Sequence, residues 1–275
     1  MKTRVISAAV AIILLAAVVY LGETAIGIAV SLLAFLAMTE FNNALYKGGY
    51  KPVKSISYIS CMPLLYIALR SILPSGSLIK GEDTLLAAAL FIFALILALF
   101  CVLMFSDGKY GIKDIAVTVF GIFYVVFLFS FVMLTRQMEN GYLYIWLIFI
   151  GAWATDTFAY FTGVAVGKTK IVPKISPKKS LEGCIGGVVG CIASMVVFGI
   201  CCRNTLGVRI VHFAILGLLC GVISQLGDWS ASVIKRSVGI KDYGNIMPGH
   251  GGVLDRVDSI LFTAPAVFLY INLFF

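Results

Sequence analysis

The sequence predicts an all-α polytopic membrane protein, and three observations support this prediction. Hydrophobic residues make up 61% of the chain and charged residues only 12%, whereas charged residues are roughly a quarter of an ordinary soluble domain. The apolar residues form long runs separated by short polar segments, and a helix needs about 20 such residues to cross a bilayer. The basic residues concentrate in alternate polar segments, as is typical of multi-pass proteins. These observations exclude a soluble globular domain.

About nine apolar runs are candidates for transmembrane helices. They lie at about 5–22, 24–41, 55–73, 84–105, 115–134, 142–165, 184–202, 210–234 and 253–274. Lys2 and Arg4 precede the first run as in a signal peptide, but a further hydrophobic run follows at once, so we expect an uncleaved span. Because the loops are short, we expect one membrane unit, with N-terminal helices in residues 1–140 and a functional region in residues 141–275.

The distribution of basic residues predicts the orientation. If the N-terminus is cytoplasmic, the loops on that side carry fifteen lysine and arginine residues and the opposite loops carry four. Such an excess marks the cytoplasmic side. We therefore expect a cell-membrane protein whose N-terminus and polar loops face the cytoplasm. The net charge of +8 has the same origin, so we expect no nucleic-acid partner.

The first half of the chain carries few residues that indicate chemistry. Glu40 is acidic at membrane depth, where an unpaired charge is costly, and pairing with a loop lysine such as Lys47 is the simpler explanation. The seven cysteines lie in or beside apolar runs without a CxxC pair. We interpret them as small buried residues that form neither a disulfide framework nor a zinc site.

Three polar segments on the predicted cytoplasmic side are the candidate functional elements, and the first is in the sixth run. Asp156 and Tyr160 lie four residues apart and share one helix face. A carboxylate within a membrane helix needs a partner or serves a function. Asp156 is therefore a candidate substrate-binding residue.

The second polar segment is the loop 166–183, which contains five lysines. Ser176, Lys178 and Lys179 lie around a proline, and their donors suit a triphosphate or a lipid phosphate. The alternative is a simple contact with anionic lipid headgroups. The nearby GVAVGKT (163–169) resembles a P-loop, but its spacing is one residue short and no strand precedes it, so we reject that interpretation.

The third polar segment spans residues 228–259. Asp228 and Lys235 fall on one face of a predicted helix, and Asp255 and Asp258 fall on one face of the next. Two carboxylates from separate helices form a hard oxygen site, which suits Mg²⁺ completed by water and substrate phosphates. The alternative is a salt-bridge network, for example Asp258 with Arg256 or Lys235. His250 is flanked by glycines. It could donate a hydrogen bond to a phosphate, carry a proton or anchor the loop, and the sequence leaves these three roles open.

These segments resemble one known family. SVIKRSVGIKDYGNIMPGHGGVLDRVDS (232–259) matches the signature S-x-x-K-R-x4-K-D-x-G-x3-P-G-H-G-G-x-x-D-R-x-D of phosphatidate cytidylyltransferases, also called CDP-diacylglycerol synthases. PKISPKKSLEG (173–183) and DTFAYFTG (156–163) resemble two further elements of that family. The resemblance covers about the last 120 residues in detail and only the hydrophobic character of the first half.

The resemblance implies an enzyme that converts CTP and phosphatidate to CDP-diacylglycerol and pyrophosphate in phospholipid biosynthesis, with Mg²⁺ as cofactor. It implies that Asp228 and Asp255 hold the metal. The residues with implied catalytic roles are Asp228, Lys235, Arg236, Asp255, Arg256 and Asp258. The residues with implied substrate-binding roles are Ser176, Lys178, Lys179, Lys241, His250 and Asp156.

The sequence departs from the family pattern at four positions. Ser180 stands where threonine is frequent, and Leu181 where an aromatic residue is frequent. Val164 replaces a common arginine and Ala231 replaces a common glutamate. The last two changes remove one positive and one negative charge, so we do not expect either position to bind substrate.

Four other functions are alternatives to this one. A CTP-dependent lipid kinase, or a cytidylyltransferase for another lipid phosphate, would use a similar site. A transporter would use intramembrane acids such as Asp156, Asp228 and Glu40 as an ion path, but the charges gather on the inner side. A structural membrane protein would not need the charged segment. Membrane lipids are expected partners. A second copy of the chain is a further candidate partner, because glycines four residues apart let helices approach closely, but such glycines serve equally well for packing within one chain.

Overall fold

The computed structural model describes residues 13–69, 84–173, 175–246 and 251–275. Its helices are α1 (13–21), α2 (Glu23–Lys47), α3 (Lys54–Ile59), α4 (Met62–Leu69), α5 (Thr84–Phe105), α6 (Ile112–Gly121), a π-helical segment (Ile122–Phe127), α7 (Leu128–Arg136), α8 (Gly141–Val166), α9 (Leu181–Cys201), α10 (Arg203–Leu206), α11 (Ile210–Ser237) and α12 (Leu254–Phe274). Within these described ranges the β-structure is limited to one isolated bridge between Lys170 and Ser180. The predicted all-α class is confirmed.

Seven of the described helices are long and apolar enough to cross a membrane, so the protein is a multi-pass membrane protein. They are Glu23–Lys47, Leu86–Phe105, Ile112–Arg136, Gly141–Val166, Leu181–Cys201, Ile210–Ser237 and Leu254–Phe274. Of the other two predicted runs, 5–22 lies largely outside the described residues. The run at 55–73 corresponds to a shorter apolar helix, Lys54–Leu69, which is interrupted at Ser60 and Cys61.

The chain divides into two compact units, Met1–Phe127 and Leu128–Phe275. In the first unit α2 packs against α3, α4 and α6, and Phe41 is fully buried with its ring centroid 5.7 Å from that of Tyr124. Asp114 joins two segments of this unit, since its carboxylate accepts hydrogen bonds from the backbone N–H groups of Lys51 and Gly111. Glu40 is buried in α2.

In the second unit α8, α9, α11 and α12 form the helical core, and α7 packs against α12. Glycines let these helices approach closely. A Cβ atom at Gly217 would lie 2.7 Å from the Cα of Ile192, and a Cβ atom at Gly187 would lie 2.9 Å from the carbonyl oxygen of Thr155. The glycines of α9 and α11 therefore serve helix packing within the chain, because small residues allow helix backbones to approach in lipid.

Candidate active site

The predicted site residues come from four segments of the second unit. Helix α8 contributes Asp156, and the loop between α8 and α9 contributes Ser176, Lys178 and Lys179. Helix α11 contributes Asp228, Lys235 and Arg236. The fourth segment runs from the end of α11 into the first turns of α12 and contributes Lys241, Asp255, Arg256 and Asp258. His250 lies outside the described residues.

The loop that joins α8 to α9, which we call the basic loop (residues 167–180), is tied at its base. Glu182, in the first turn of α9, accepts hydrogen bonds from the backbone N–H of Lys168 at 3.0 Å and of Thr169 at 3.2 Å. The Ser180 hydroxyl caps α9 by accepting from the N–H of Gly183. These bonds hold both ends of the loop against the start of α9, so the loop presents its lysines from a defined base.

Lys179 reaches from the basic loop to α11. Its ammonium group forms an ion pair with the Asp228 carboxylate, and each side chain is 27% exposed. The same nitrogen lies 5.8 Å from the ring centroid of Trp229. Burial lowers the pKa of the Lys179 ammonium, and the nearby Asp156 carboxylate opposes this shift. The loop and the helix thus meet at a half-buried charge pair.

Asp255 accepts three hydrogen bonds. Its Oδ1 accepts from Lys235 Nζ at 2.6 Å, and its Oδ2 accepts from the backbone N–H of Tyr243 at 2.8 Å and of Gly252 at 3.0 Å. The Lys235 and Asp255 side chains are only 10% and 5% exposed. Asp255 therefore ties the connection between α11 and α12, which we call the final connection (residues 238–253), back to α11. The salt-bridge alternative names Asp258 as an example partner of Lys235. In the structure Lys235 forms its ion pair with Asp255 instead.

Asp156 and Asp258 extend this charged cluster. Asp258 is 6% exposed and accepts the N–H of Ser259 at 2.7 Å, and it interacts electrostatically with Asp156, Lys235 and Asp255. The side chains that act on the Asp156 carboxylate include Lys179 and Arg256. The structure thus brings together the predicted residues of all four segments, namely Asp156, Lys179, Asp228, Lys235, Asp255, Arg256 and Asp258.

The remaining predicted residues have looser positions. Arg236 donates a hydrogen bond to the carbonyl oxygen of Ile240 at 3.1 Å, at the end of α11. Lys178 and Lys241 are exposed. Ser176 contributes backbone hydrogen bonds with Val172 and Lys179 to the turn of the basic loop. These side chains lie where a diffusing anion can reach them.

Sequence reasoning gave no role to several residues that shape the site. Glu182 anchors the basic loop, Tyr243 donates to Asp255, and Trp229 lies beside Lys179. Gln225 places its amide against the backbone of α9. The sequence contained one usable signal, because Gln225 and Trp229 are four residues apart at the polar end of an apolar run and so share a helix face with each other.

The carboxylates fit the expected cofactor in kind. Among the described residues, no three acidic, histidine or cysteine side chains come close enough to hold a metal by themselves. Mg²⁺ binds oxygen and is usually held by one or two carboxylates together with water and substrate phosphates. Asp228 and Asp255 each form an ion pair with a lysine ammonium group here, which a bound metal ion would have to replace.

Comparison with known proteins identifies the family. The cytidylyltransferase family profile matches residues 2–274. A phosphatidate cytidylyltransferase of Thermotoga maritima is 32% identical over 274 residues, which cover 98% of this chain and 95% of the relative. The phosphatidate cytidylyltransferase of Bacillus subtilis is 29% identical over 275 residues, with 100% and 98% covered, and that of Synechocystis is 31% identical, with 98% and 96% covered. The family predicted from the three polar segments is confirmed, and the chain belongs to the cytidylyltransferase family.

Proposed function

We propose that this protein is a phosphatidate cytidylyltransferase, which makes CDP-diacylglycerol from CTP and phosphatidate. The observation that carries the proposal is the cluster of lysines and carboxylates around the Lys179–Asp228 and Lys235–Asp255 pairs, at the ends of membrane helices. A soluble nucleotide and a membrane lipid can meet at such a position. Full-length similarity to relatives named phosphatidate cytidylyltransferase supports the same substrates.

In the proposed reaction a phosphate oxygen of phosphatidate attacks the α-phosphorus of CTP. A P–O bond forms between the two phosphates, the bond from the α-phosphorus to the bridging oxygen breaks, and pyrophosphate leaves with the electron pair. Phosphatidate is already largely ionised near neutral pH, so no strong general base is needed. Catalysis then consists mainly of positioning and charge neutralisation, as in phosphoryl transfer generally.

The basic side chains would bind the phosphates. Lys179 and Lys235 are already at the carboxylates of α11 and α12 and can exchange these partners for phosphate oxygens. Four further basic residues of the same segments are exposed, namely Lys178, Arg236, Lys241 and Arg256. We assign Ser176 and Asp156 to substrate binding. Asp258 would orient Arg256 or bind the metal, and His250 is a candidate hydrogen-bond donor to a substrate phosphate.

Asp228 and Asp255 are the residues that we propose to hold Mg²⁺. When bound, this ion would neutralise charge on the phosphates and on the leaving pyrophosphate. The protein's own contribution is to supply the two carboxylates from α11 and α12. The final connection positions the second carboxylate through the hydrogen bonds that Asp255 accepts from Tyr243 and Gly252.

We further propose that residues 141–275 carry the catalytic machinery and that the N-terminus and the basic loop face the cytoplasm. The excess of basic residues on that side supports the orientation. The basic loop and the final connection would then meet cytoplasmic CTP, while the acyl chains of the lipid stay in the bilayer. A homodimer in the membrane is a further proposal, and it would use a surface other than the glycine faces of α9 and α11, which pack within the chain.

The decisive experiment is an assay on purified protein with phosphatidate and Mg²⁺, run in parallel with CTP labelled at the α-phosphate and at the γ-phosphate. We expect label in the extracted lipid from the α position only, together with pyrophosphate. Label from the γ position would instead identify a lipid kinase. Folded protein that labels no lipid from either nucleotide would exclude phosphatidate as the substrate.

A further inference from the structure

A groove between α9 and α11 opens beside the charged cluster. Its volume is about 420 Å³, and its wall includes Leu181, Ile185, Val188, Val222, Leu226 and Trp229. Ile185, Val222 and Leu226 are between 46% and 57% exposed, as expected for side chains that face lipid in a membrane helix. Apart from Gln225, the side chains that line the groove are apolar.

One end of the groove lies beside Lys179, the lysine that we propose to bind phosphate. Trp229 lies at this end and follows Asp228, the partner of Lys179. The Lys179 ammonium lies 5.8 Å from the Trp229 ring centroid. Ile171 of the basic loop also lines the groove. An apolar channel thus leads from the lipid-facing surface to a cation that can bind a phosphate.

Gln225 and Trp229, two of the residues that line this otherwise apolar groove, each carry a buried polar atom without a partner. Gln225 is 5% exposed, and its amide nitrogen donates to the carbonyl oxygens of Cys184 at 3.1 Å and Gly221 at 2.8 Å. Its Oε1 atom, like the Nε1–H of Trp229, is buried and has no hydrogen-bond partner among the described residues. Buried polar atoms are normally paired, so a donor and an acceptor left without partners beside a groove indicate a ligand or ordered water.

We propose that this groove binds one acyl chain of the lipid substrate, with the ester carbonyl of that chain accepting a hydrogen bond from Trp229 Nε1. This inference rests on the proposed function. The chain would lie against Ile185, Val188 and Val222, and the lipid phosphate would lie at Lys179, where it meets the α-phosphate of CTP. The ester is the first polar group that the groove meets after the phosphate end, and its carbonyl oxygen is an acceptor that matches the free indole donor. The acceptor of Gln225 would bind water at the level of the glycerol backbone.

The test compares diacyl phosphatidate with the dialkyl analogue, which has ether links and no carbonyl oxygen. The wild-type protein should use the diacyl lipid with a KM about three- to tenfold lower, the range of one uncharged hydrogen bond. Trp229→Phe should raise the KM for the diacyl lipid to that of the dialkyl lipid and leave the KM for the dialkyl lipid and for CTP unchanged. Equal preference in wild type and Trp229→Phe would overturn the ester contact.

A second variant tests the groove itself if Trp229→Phe does not fold. Leu226→Trp adds bulk at an exposed position of the groove wall. It should raise the KM for long-chain phosphatidate and spare a dihexanoyl phosphatidate. Trp146→Phe is the matched control for Trp229→Phe, because Trp146 lies ten residues from Asp156 on α8, about 15 Å along the helix. It should change neither the preference for diacyl over dialkyl lipid nor the dependence on chain length.

The outcomes separate this inference from the proposed function. If wild-type protein transfers label from α-labelled CTP to phosphatidate but Leu226→Trp affects long and short chains equally, the groove holds ordinary membrane lipid and the inference is wrong. If wild-type protein shows no transfer at all, the proposed function fails first.

Discussion

The basic loop and the final connection are anchored by the same device, yet the two anchors differ in charge environment. Each segment precedes a helix, and each is held by a carboxylate at the second residue of that helix, Glu182 in α9 and Asp255 in α12. Both carboxylates accept backbone N–H groups of the preceding segment. Negative charge in the first turn also interacts favourably with the helix dipole.

The difference lies in what else the carboxylate binds. Asp255 also forms a buried ion pair with Lys235, whereas Glu182 accepts hydrogen bonds from the backbone N–H groups of Lys168 and Thr169. In the basic loop, Lys179 forms an ion pair with Asp228 on α11 instead. One anchor is therefore part of the charged cluster, and the other only positions a segment that contributes to it. Substitutions should separate these two roles.

Asp255→Asn should have the largest effect, a loss of at least about a hundredfold in kcat/KM. It removes one proposed metal ligand and leaves Lys235 as a buried charge without its partner, which is strongly unfavourable. Activity of the purified variant is measured as a function of Mg²⁺ concentration, with thermal unfolding as the check on folding. Near wild-type activity in a folded variant would remove Asp255 from the site.

Lys179→Ala should raise the KM for CTP roughly ten- to hundredfold, the range for a lost hydrogen bond to a charged group. Lys170→Ala is the matched control, since Lys170 is an exposed lysine of the same loop to which no substrate role is assigned, and its effect should stay below about threefold because exposed charges contribute little. Equal effects of the two substitutions would mean that the pair with Asp228 does not select Lys179 for function.

Glu182→Gln should lower kcat/KM by about tenfold or less, because the amide keeps one acceptor oxygen for the Lys168 and Thr169 N–H groups and loses the charge of the carboxylate. Unlike Asp255→Asn, it should leave the Mg²⁺ dependence unchanged. The basic loop should also open more often, so hydrogen exchange of the Lys168 and Thr169 amides should speed up. An altered Mg²⁺ dependence would show that Glu182 takes part in the charged cluster after all.

The smallest effect expected is a change at alkaline pH. Burial lowers the pKa of Lys179, so its ammonium loses its proton at a lower pH than an ordinary lysine. Below that pKa the charge is present and CTP binds, and above it the KM for CTP should rise. Asp156, Asp258, Cys184 and Lys235 face this group. Lys179→Arg keeps its charge at high pH and should flatten the alkaline rise, whereas Lys178→Arg should leave the profile unchanged.

The sequence predicted the membrane class, the family and the three polar segments, because these depend on local composition and spacing. Helical periodicity also placed Asp228 with Lys235 on one face and Asp255 with Asp258 on another. It did not give the partner of each charge. The salt-bridge alternative named Asp258 as an example partner of Lys235, whereas Lys235 forms its ion pair with Asp255. The sequence cannot separate the two carboxylates because they lie one turn apart on the same face of α12.

Only the tertiary structure decided which polar segments meet. Lys179 and Asp228 are 49 residues apart in sequence, and they meet because α9 packs against both α8 and α11 through glycine faces. The groove that ends at Trp229 arises in the same way, from the surface between α9 and α11. Periodicity determines which residues share a face of one helix, but the choice of neighbouring helix depends on packing between segments far apart in the chain.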